Sequence, residues 1–346
     1  MTGGDTVQPV IIYPPTIDWD YLHQRPQQIL KALAGLDCIC IFCNVNLHKR
    51  HRDGIIQLKE NLLLANGQSF AATVMWARSY YPGRPLTAYF TYPAHITQIR
   101  AAKPDLIIFD SVDEPAGEFI SWLPDYARAI QQANVITATS CSLVNRAKTL
   151  TAKEVHFIPN GCDYDHFKTA QKRHEINGLP FTGSKPIIGY IGAIAPWLDM
   201  NLINSLARCL PDYEFVFIGS LLCRQAIAFP NCNMHYLHHL DYSELPRYLS
   251  NFSYSLIPFK LTEMTRGVNP VKFWEYLAGG IPVLSTPLPE IPPAYATFIT
   301  EAMLPGFSPA ADEKKRAAGI QHARENAWTD RARRLLKIIL TELESG

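Results

Sequence analysis

The stretch from Thr262 to Ile291 constrains the fold most strongly, because it predicts a firmly bounded helix followed by a buried strand. Asn269 is a favourable N-cap, and Pro270 suits the first helical position, where its missing N–H group would have no partner. The pair Gly279-Gly280 ends the helix, since glycine adopts positive φ readily. The apolar run IPVLST is typical of a strand that is covered on both faces in a parallel sheet. These signals predict an αβ unit of a doubly wound α/β fold.

The start of this helix has the chemistry of an anion-binding site. The amides from Val268 to Lys272 and the positive end of the helix dipole suit a phosphate or a diphosphate. Glu275 shares a helix face with Lys272, and its carboxylate can accept hydrogen bonds from the two hydroxyls of a ribose. The same pattern describes an ordinary amphipathic helix with a surface Lys/Glu pair, so the helix alone leaves both interpretations open.

The overall composition limits the classes of protein to consider. A length of 346 residues favours two domains of about 170 residues each. The content of 47% hydrophobic and 18% charged residues describes an ordinary globular protein. A net charge of +1 disfavours nucleic acid as a partner, because its binding needs a dense basic face. The sequence has no signal peptide and no run of about 18 apolar residues, so a cytoplasmic location is expected.

The cysteines and histidines do not have the spacing of a metal site. Eight cysteines are scattered along the chain, and we expect buried thiols in a reducing compartment. Cys38, Cys40 and Cys43 lack a second Cys/His pair at zinc-site distance. The pair His48/His51 lies in a basic loop and the group at 235–239 lies beside a strand end, where solvated side chains are expected. We therefore expect no metal and no cofactor.

Apolar runs alternate with helical segments along the whole chain, which predicts parallel sheets. The first run, Val10–Tyr13, leads into a polar aromatic loop without a Gly-x-Gly-x-x-Gly motif, which argues against a dinucleotide-binding enzyme. A polar, Gly/Pro-rich linker is predicted between Lys168 and Pro186. The predicted organisation is a Rossmann-like domain at 1–170, a second at 186–308, and C-terminal helices at 309–346. Loops 110–114 and 159–163 follow strands, where ligands bind in such sheets.

Three segments together resemble the GT-B glycosyltransferases of family 4, and especially the branch assigned to teichuronic-acid-type biosynthesis. They are Trp19 followed by QRPQ at 24–27, IPNGCDYDHF at 158–167, and NPVKFWEYLAGGIPVLSTPLPEI at 269–291. The similarity spans nearly the whole chain. It implies two Rossmann-like domains facing across a cleft, with the C-terminal helix packing back towards the first domain.

The resemblance also assigns a donor site in the second domain. Glu275 matches the glutamate that binds the donor ribose, and Lys272 lies beside the diphosphate and is expected to act in catalysis with Glu275. The other donor-site positions implied are Arg266, Gly267, Val268, Asn269, Pro270 and Gly192. Two departures stand out. Gly267 occupies the position of a usual first glutamate, and the loop 192–199 lacks the usual Arg and Lys, so phosphate charge must be met by Lys272, the helix amides, and Arg266 or Lys260.

The first domain is expected to supply the acceptor side and a further catalytic group. Asp113 stands where many relatives have a histidine, and it is the expected general base or acceptor-orienting group. The expected acceptor or cleft contacts are Trp19, Gln24, Arg25, Ser111 and Asn160. Structural alternatives remain open for three of these, since Gln24 and Arg25 could brace the first helix and Asn160 is a turn former.

The function implied is a retaining, metal-independent hexosyltransferase of cell-surface polysaccharide synthesis. It would use a nucleotide-diphosphate sugar, UDP-linked by family preference, and a saccharide or lipid-linked acceptor. Basic and aromatic residues at 48–52 and 76–84 suggest a patch for anionic lipid headgroups, and hence peripheral contact with the inner face of the plasma membrane. A nucleotide-sugar epimerase of the same fold, or a nucleotide-sugar-binding module with impaired catalysis, are the alternatives.

Overall fold

The computed structural model describes residues 8–47, 49–176, 179, 185–222, 229–310 and 312–345. His48, Cys223 and residues 177, 178 and 180–184 of the predicted linker lie outside the described residues. The chain divides into two compact units, one of which is formed by residues up to Asn160 together with the segment from Trp328. The other unit runs from Gly161 to Ala327.

The first unit is built on a sheet of eight strands among the described residues, in the order β3-β4-β2-β1-β5-β6-β7-β8. The strands are β1 Val10–Tyr13, β2 Ile39–Asn44, β3 Gly54–Lys59, β4 Leu62–Asn66, β5 Leu86–Phe90, β6 Leu106–Ser111, β7 Val135–Ala138 and β8 Val155–Phe157. The helices between them are α1 Arg25–Ala34, α2 Phe70–Tyr80, α3 Ile96–Ala102, α4 Leu123–Gln132 and α5 Cys141–Lys148. The described strands pair in parallel except β3 and β4, which pair antiparallel at one edge.

The second unit has a parallel sheet of six strands within its described residues, in the order β11-β10-β9-β12-β13-β14. In chain order its elements are α6 Tyr164–Phe167, β9 Ile187–Ile191, α7 Met200–Cys209, β10 Glu214–Ile218, β11 Met234–Tyr236, α8 Leu245–Leu249, β12 Phe252–Ile257, α9 Glu263–Arg266, α10 Val271–Ala278, β13 Val283–Ser285, β14 Ala296–Phe298 and α11 Glu313–Glu325. The two parallel-sheet units confirm the predicted fold class.

The last helix, α12 Trp328–Ser345, belongs to the first unit and packs on α1, as the resemblance implied. Its buried residues include Trp328, Ala332, Leu335 and Ile339, which recur at helical spacing and form one apolar stripe. The first unit is therefore completed by a segment that follows the whole second unit in sequence.

The apolar strands form the two cores, and their cysteines test the expectation of buried thiols. Cys38, Cys40 and Cys43 are buried in the first core, and burial raises the pKa of the Cys43 thiol to about 12. The expectation is wrong for Cys141 and Cys209 at helix ends and for Cys232 in a loop, which are exposed. Among the described residues, no three His, Cys, Asp or Glu side chains are grouped to hold a metal ion.

Candidate functional site

The second sheet reverses its strand order between β9 and β12, which is where open α/β sheets bind ligands. The ladder between β9 and β10 continues to the pair Ile191–Ile218. The pairs between β9 and β12 stop earlier, at Gly189–Ser255. The two neighbours of β9 therefore separate at its carboxyl end. Helix α10 begins at this same end of the strands.

Tyr276 of α10 secures the end of β9 at this point. Its buried hydroxyl accepts a hydrogen bond from the Ile191 amide at 2.8 Å and donates to the Ile191 carbonyl at 3.3 Å. One side chain thus satisfies both backbone groups of the last residue in the strand. The position of Gly192, the next residue, is fixed relative to α10.

Gly192 follows β9 and contacts the side chain of Lys272. Its φ is +149°, and a Cβ atom there would lie 2.7 Å from Lys272 Cε and 3.0 Å from Nζ. A larger residue would displace the ammonium group. Gly192 and Lys272, which are eighty positions apart in sequence, form one wall of the candidate site.

The ammonium of Lys272 lies between two aromatic rings. Its Nζ is 5.2 Å from the centroid of the Tyr190 ring and 4.9 Å from that of Phe259. Across the described ranges no carboxylate forms an ion pair with it. Burial lowers the pKa of Lys272 to about 8, against the opposing effect of the Glu275 charge. The site therefore holds a half-buried, poorly solvated cation without a carboxylate partner among the described residues.

Glu275 lies one turn further along α10 and is 8% exposed. Burial raises the pKa of its carboxyl to about 7, the Lys272 charge lowers it, and the Asp163 charge raises it. No hydrogen bond to this carboxylate is formed within the described part of the chain. A buried acceptor of this kind is costly unless a ligand supplies donors, such as the hydroxyls of a ribose.

The start of α10 differs from the prediction in two respects. Pro270 is the N-cap rather than Asn269, because its ψ of 120° keeps it extended and the helix begins at Val271. The Val268 amide donates to the Thr265 carbonyl at 3.2 Å and belongs to the end of α9, so it is not a free amide. The predicted end is confirmed at Gly280, with a φ of +70°, whereas Gly279 has a φ of −70°.

The neighbouring donor-site positions lie between α9 and α10. Arg266 is exposed at the end of α9, and Gly267 is the buried C-cap of that helix. Asn269 is 5% exposed, and its Oδ1 accepts a hydrogen bond from Trp274 Nε1 at 3.0 Å. The interpretation of Lys272 and Glu275 as a surface pair is wrong, because α10 is buried on most of its faces.

In the first unit, Arg25 is the centre of a buried ion-pair network. Its Nε and Nη2 donate to Asp110 at 2.6 and 3.2 Å, and its Nη1 donates to Asn160 Oδ1 at 3.1 Å. Thr137 donates to Asp110 at 2.5 Å, and the Tyr89 hydroxyl also donates to this carboxylate. Burial acts to lower the pKa of Arg25, but the Asp110 charge overcomes this and raises it. Arg25 braces α1, as the structural alternative proposed.

The other predicted acceptor residues are also engaged locally. The Ser111 hydroxyl is 2.7 Å from the Tyr126 hydroxyl in the core. Trp19 is 7% exposed and packs edge-on against Phe42 with centroids 5.1 Å apart. Gln24 is exposed at the start of α1, where its amide donates to Gln27 Oε1 at 3.1 Å.

Asp113 is the predicted residue of this unit that keeps a free acceptor group. Its half-buried side chain follows the carboxyl end of β6, and its carboxylate forms no hydrogen bond with other described residues. Burial raises the pKa of Asp113 to about 7, with a further contribution from the Glu114 charge. Glu114, by contrast, is bound to Arg146 at 2.5 Å.

The basic and aromatic residues predicted to form one lipid-binding patch lie near opposite ends of the parallel strands in the first sheet. Residues 49–52 follow the carboxyl end of β2, whereas Tyr80, Tyr81 and Arg84 immediately precede the amino end of β5. Arg84 Nη1 donates to the Gln8 carbonyl at 3.2 Å, just before β1. The two groups therefore adjoin opposite ends of their strands, and contact with lipid headgroups stays a prediction. Among the described helices, none has both the length and the apolar character to cross a membrane.

Sequence reasoning missed Tyr190, Phe259 and Tyr276, which hold Lys272 and the Gly192 loop in place. These residues lie in three places, namely β9, the segment after β12, and α10. Because they are far apart in sequence, no local pattern predicts their contacts. Asp163 caps the short helix α6, since its Oδ1 accepts from the His166 amide at 3.3 Å. Its charge near Glu275 was not foreseen.

Comparisons with known proteins bear on this geometry. No protein-family model matches the sequence. Over 181 residues the chain is 29% identical to TuaH of Bacillus subtilis, a protein provisionally named as a teichuronic acid biosynthesis glycosyltransferase. The match covers 50% of this chain and 45% of TuaH, so it spans less than half the length of that relative.

Solved structures match over nearly the full length. HepE from Anabaena, solved with UDP and glucose, aligns over 96% of this chain and 99% of its own with a TM-score of 0.63 and 11% identity. Sucrose-phosphate synthase from Thermosynechococcus elongatus aligns over 98% and 97% with a TM-score of 0.58 and 14% identity. The chain has the GT-B fold. AviGT4, a glycosyltransferase of avilamycin A biosynthesis, shares this fold with a TM-score of 0.60 over 98% of the chain and 99% of its own, at 12% identity.

Proposed function

We propose that this protein is a glycosyltransferase that uses a UDP-linked sugar as donor. The proposal rests on two side chains at the point where the second sheet of a GT-B fold reverses its strand order. Within the described ranges, Lys272 has no ion-pair partner and the buried Glu275 carboxylate has no hydrogen bond. A cation at that depth suits a diphosphate, and an acceptor one turn deeper suits a ribose. The similarity to TuaH supports transfer activity, and HepE, solved with UDP and glucose, supports the donor class.

The reaction proposed is transfer with retention of anomeric configuration, without a metal ion. The bond between the anomeric carbon and the UDP oxygen breaks, UDP leaves with the electron pair, and the acceptor oxygen bonds to the same face of that carbon. Lys272 and the start of α10 stabilise the charge that grows on the leaving diphosphate. The acceptor proton passes to a departing phosphate oxygen or to Asp113, whose raised pKa suits a general base near neutral pH.

The acceptor proposed is a saccharide or a lipid-linked saccharide used in cell-surface polysaccharide synthesis. TuaH, named for teichuronic acid biosynthesis, supports this class of product. The reaction would then take place in the cytoplasm at the inner face of the plasma membrane, with the exposed basic residues of loop 49–52 available to anionic headgroups.

The test follows products and binding separately. Incubation with a panel of UDP-sugars, monitored by NMR, is expected to show slow hydrolysis or transfer that releases UDP. Isomerised donor would instead indicate an epimerase, and binding without any product would indicate a binding module.

Calorimetry with UDP then tests the site. Glu275→Ala is expected to weaken UDP binding about 10- to 100-fold, because a buried carboxylate bonded to hydroxyls is lost. The exposed Glu301→Ala in the same unit should leave the affinity unchanged. Equal UDP affinity in Glu275→Ala and the wild type, with an intact fold, would remove Glu275 from the site.

A further inference from the structure

Asn269 lies immediately before the N-cap of α10, and its amide is held in one orientation. The indole Nε1 of Trp274 donates to Asn269 Oδ1 at 3.0 Å, so the carbonyl side of the amide faces Trp274. The amide nitrogen then points the other way, towards Glu290, whose Oε2 is 3.5 Å from Nδ2. Asn269 is 5% exposed, which leaves its side chain little freedom to turn. The buried Asn269 amide thus lies against the Glu290 carboxylate near the first residue of α10.

Glu290 reaches this position from another element. It lies in the loop after the carboxyl end of β13, and its side chain is half-buried. It therefore lies at the same edge of the sheet as Gly192 and Lys272, the edge where open α/β sheets bind ligands. Because the Glu290 side chain is half-buried rather than fully buried, a ligand can reach part of it while Asn269 lies against Oε2.

Charge determines which part of a donor Glu290 can face. A carboxylate repels a diphosphate, and the cation Lys272 already suits that group. Sugar hydroxyls are donors, and a carboxylate accepts two of them through its two oxygens. The neighbouring residues Gly267 and Val268 carry no side chain that could bind a hydroxyl. At this end of the strands, Lys272 therefore suits the phosphates of the donor, and Glu290 suits the sugar hydroxyls.

We propose that Glu290, oriented by Asn269 and Trp274, binds the hydroxyls of the donor sugar and determines the affinity for the sugar part of the nucleotide. The proposal rests on the donor site described under the proposed function. It adds a residue outside α10 that distinguishes a UDP-sugar from UDP.

The test compares two ligands in the same variants. Kd values for UDP and for the best-bound member of a panel of UDP-glucose, UDP-galactose and UDP-N-acetylglucosamine are measured by calorimetry. Glu290→Gln is expected to weaken binding of the UDP-sugar about tenfold or more while the Kd for UDP changes less than about twofold. Trp274→Phe, which removes the N–H that orients Asn269, is expected to give a smaller loss of the same kind. The exposed Glu263→Gln should change neither Kd.

The outcomes separate this inference from the proposed function. If Glu290→Gln changes both Kd values by the same factor, or changes neither, Glu290 does not bind the sugar and the inference is overturned while the nucleotide site stands. If the wild-type protein binds no UDP and no UDP-sugar, the proposed function fails and the inference fails with it. Thermal unfolding of each variant shows whether the fold is retained, and Glu290→Ala provides a second measurement if Glu290→Gln unfolds.

Discussion

Arg25 in the first unit is a buried cation and Lys272 in the second is a half-buried one, and of the two only Arg25 has a carboxylate partner among the described residues. Arg25 is 4% exposed and donates twice to Asp110, which two further hydroxyls also satisfy. Lys272 faces two aromatic rings and a glycine, and in the described residues it forms no ion pair. Both residues came from motifs that resemble the same family, yet their surroundings differ in kind.

The difference indicates which motif residues support the fold and which are available to a ligand. A buried ion pair whose donors and acceptors are satisfied holds elements together, and removing one partner leaves an uncompensated charge. A buried charge without a partner costs free energy in the empty protein, and a ligand of opposite charge recovers it. We therefore assign Arg25 to the architecture of the first unit and Lys272 to binding.

The largest effect is expected from Arg25→Met. It leaves Asp110 buried and unpaired, which is expected to lower the free energy of unfolding by about 3–5 kcal/mol in urea denaturation. Arg128→Met is the matched control, because the Arg128–Asp125 pair at 3.0 Å is exposed on the arginine side and surface pairs contribute below about 1 kcal/mol. If Arg25→Met keeps its stability and loses transfer activity, the structural assignment of Arg25 is wrong, since Arg25 would then contact substrate.

The opposite pattern is expected for Lys272→Met. Loss of the ammonium is expected to lower kcat for UDP-sugar turnover about 10²- to 10³-fold, in line with removal of a group that stabilises transition-state charge. Thermal stability should stay the same or rise, because a half-buried charge without an ion-pair partner in the described residues is replaced by an apolar side chain of similar length. A variant that melts well below the wild type but turns over normally would place Lys272 with the structural residues.

The smallest effect is a pH dependence that only the second unit should show. With its pKa lowered to about 8, Lys272 is charged at pH 7 and loses its proton as the pH rises through 8. UDP is fully ionised in this range, since its terminal phosphate titrates near about pH 6. The Kd for UDP should therefore rise between pH 7.5 and 9.5, by at most about tenfold per unit. Lys272→Met should lose this rise in Kd, and an equally steep rise in that variant would point to another group.

The sequence was sufficient where the signals are local. Cap residues and glycines bounded α10 to within about two residues, and the predicted C-terminal helices at 309–346 correspond to α11 and α12. The fold class followed from the alternation of strands and helices. β3 was missed because its Gly54–Lys59 segment is mostly half-exposed and lacks a continuous apolar run.

The sequence did not predict contacts between residues that are far apart along the chain. Arg25 and Asp110 are 85 positions apart, so their pairing depends on the order of strands in the sheet. The contact of Tyr276 with Ile191 and that of Lys272 with Gly192 depend on where β9 and β12 separate. The separation of residues 49–52 from Tyr80, Tyr81 and Arg84 has the same cause, since it depends on the strand order on either side of α2. Pairing and register are set by tertiary packing, which local patterns do not encode.

The placement of α12 affects the order in which the protein can fold during synthesis. The ribosome makes the first sheet early, then the whole of the second unit, and only afterwards the helix that covers α1. Domains usually fold as they emerge, starting from the N-terminus. Here the apolar surface that receives Trp328 and Ile339 must wait until residues 161–327 have been translated. The unit that is begun first is completed last.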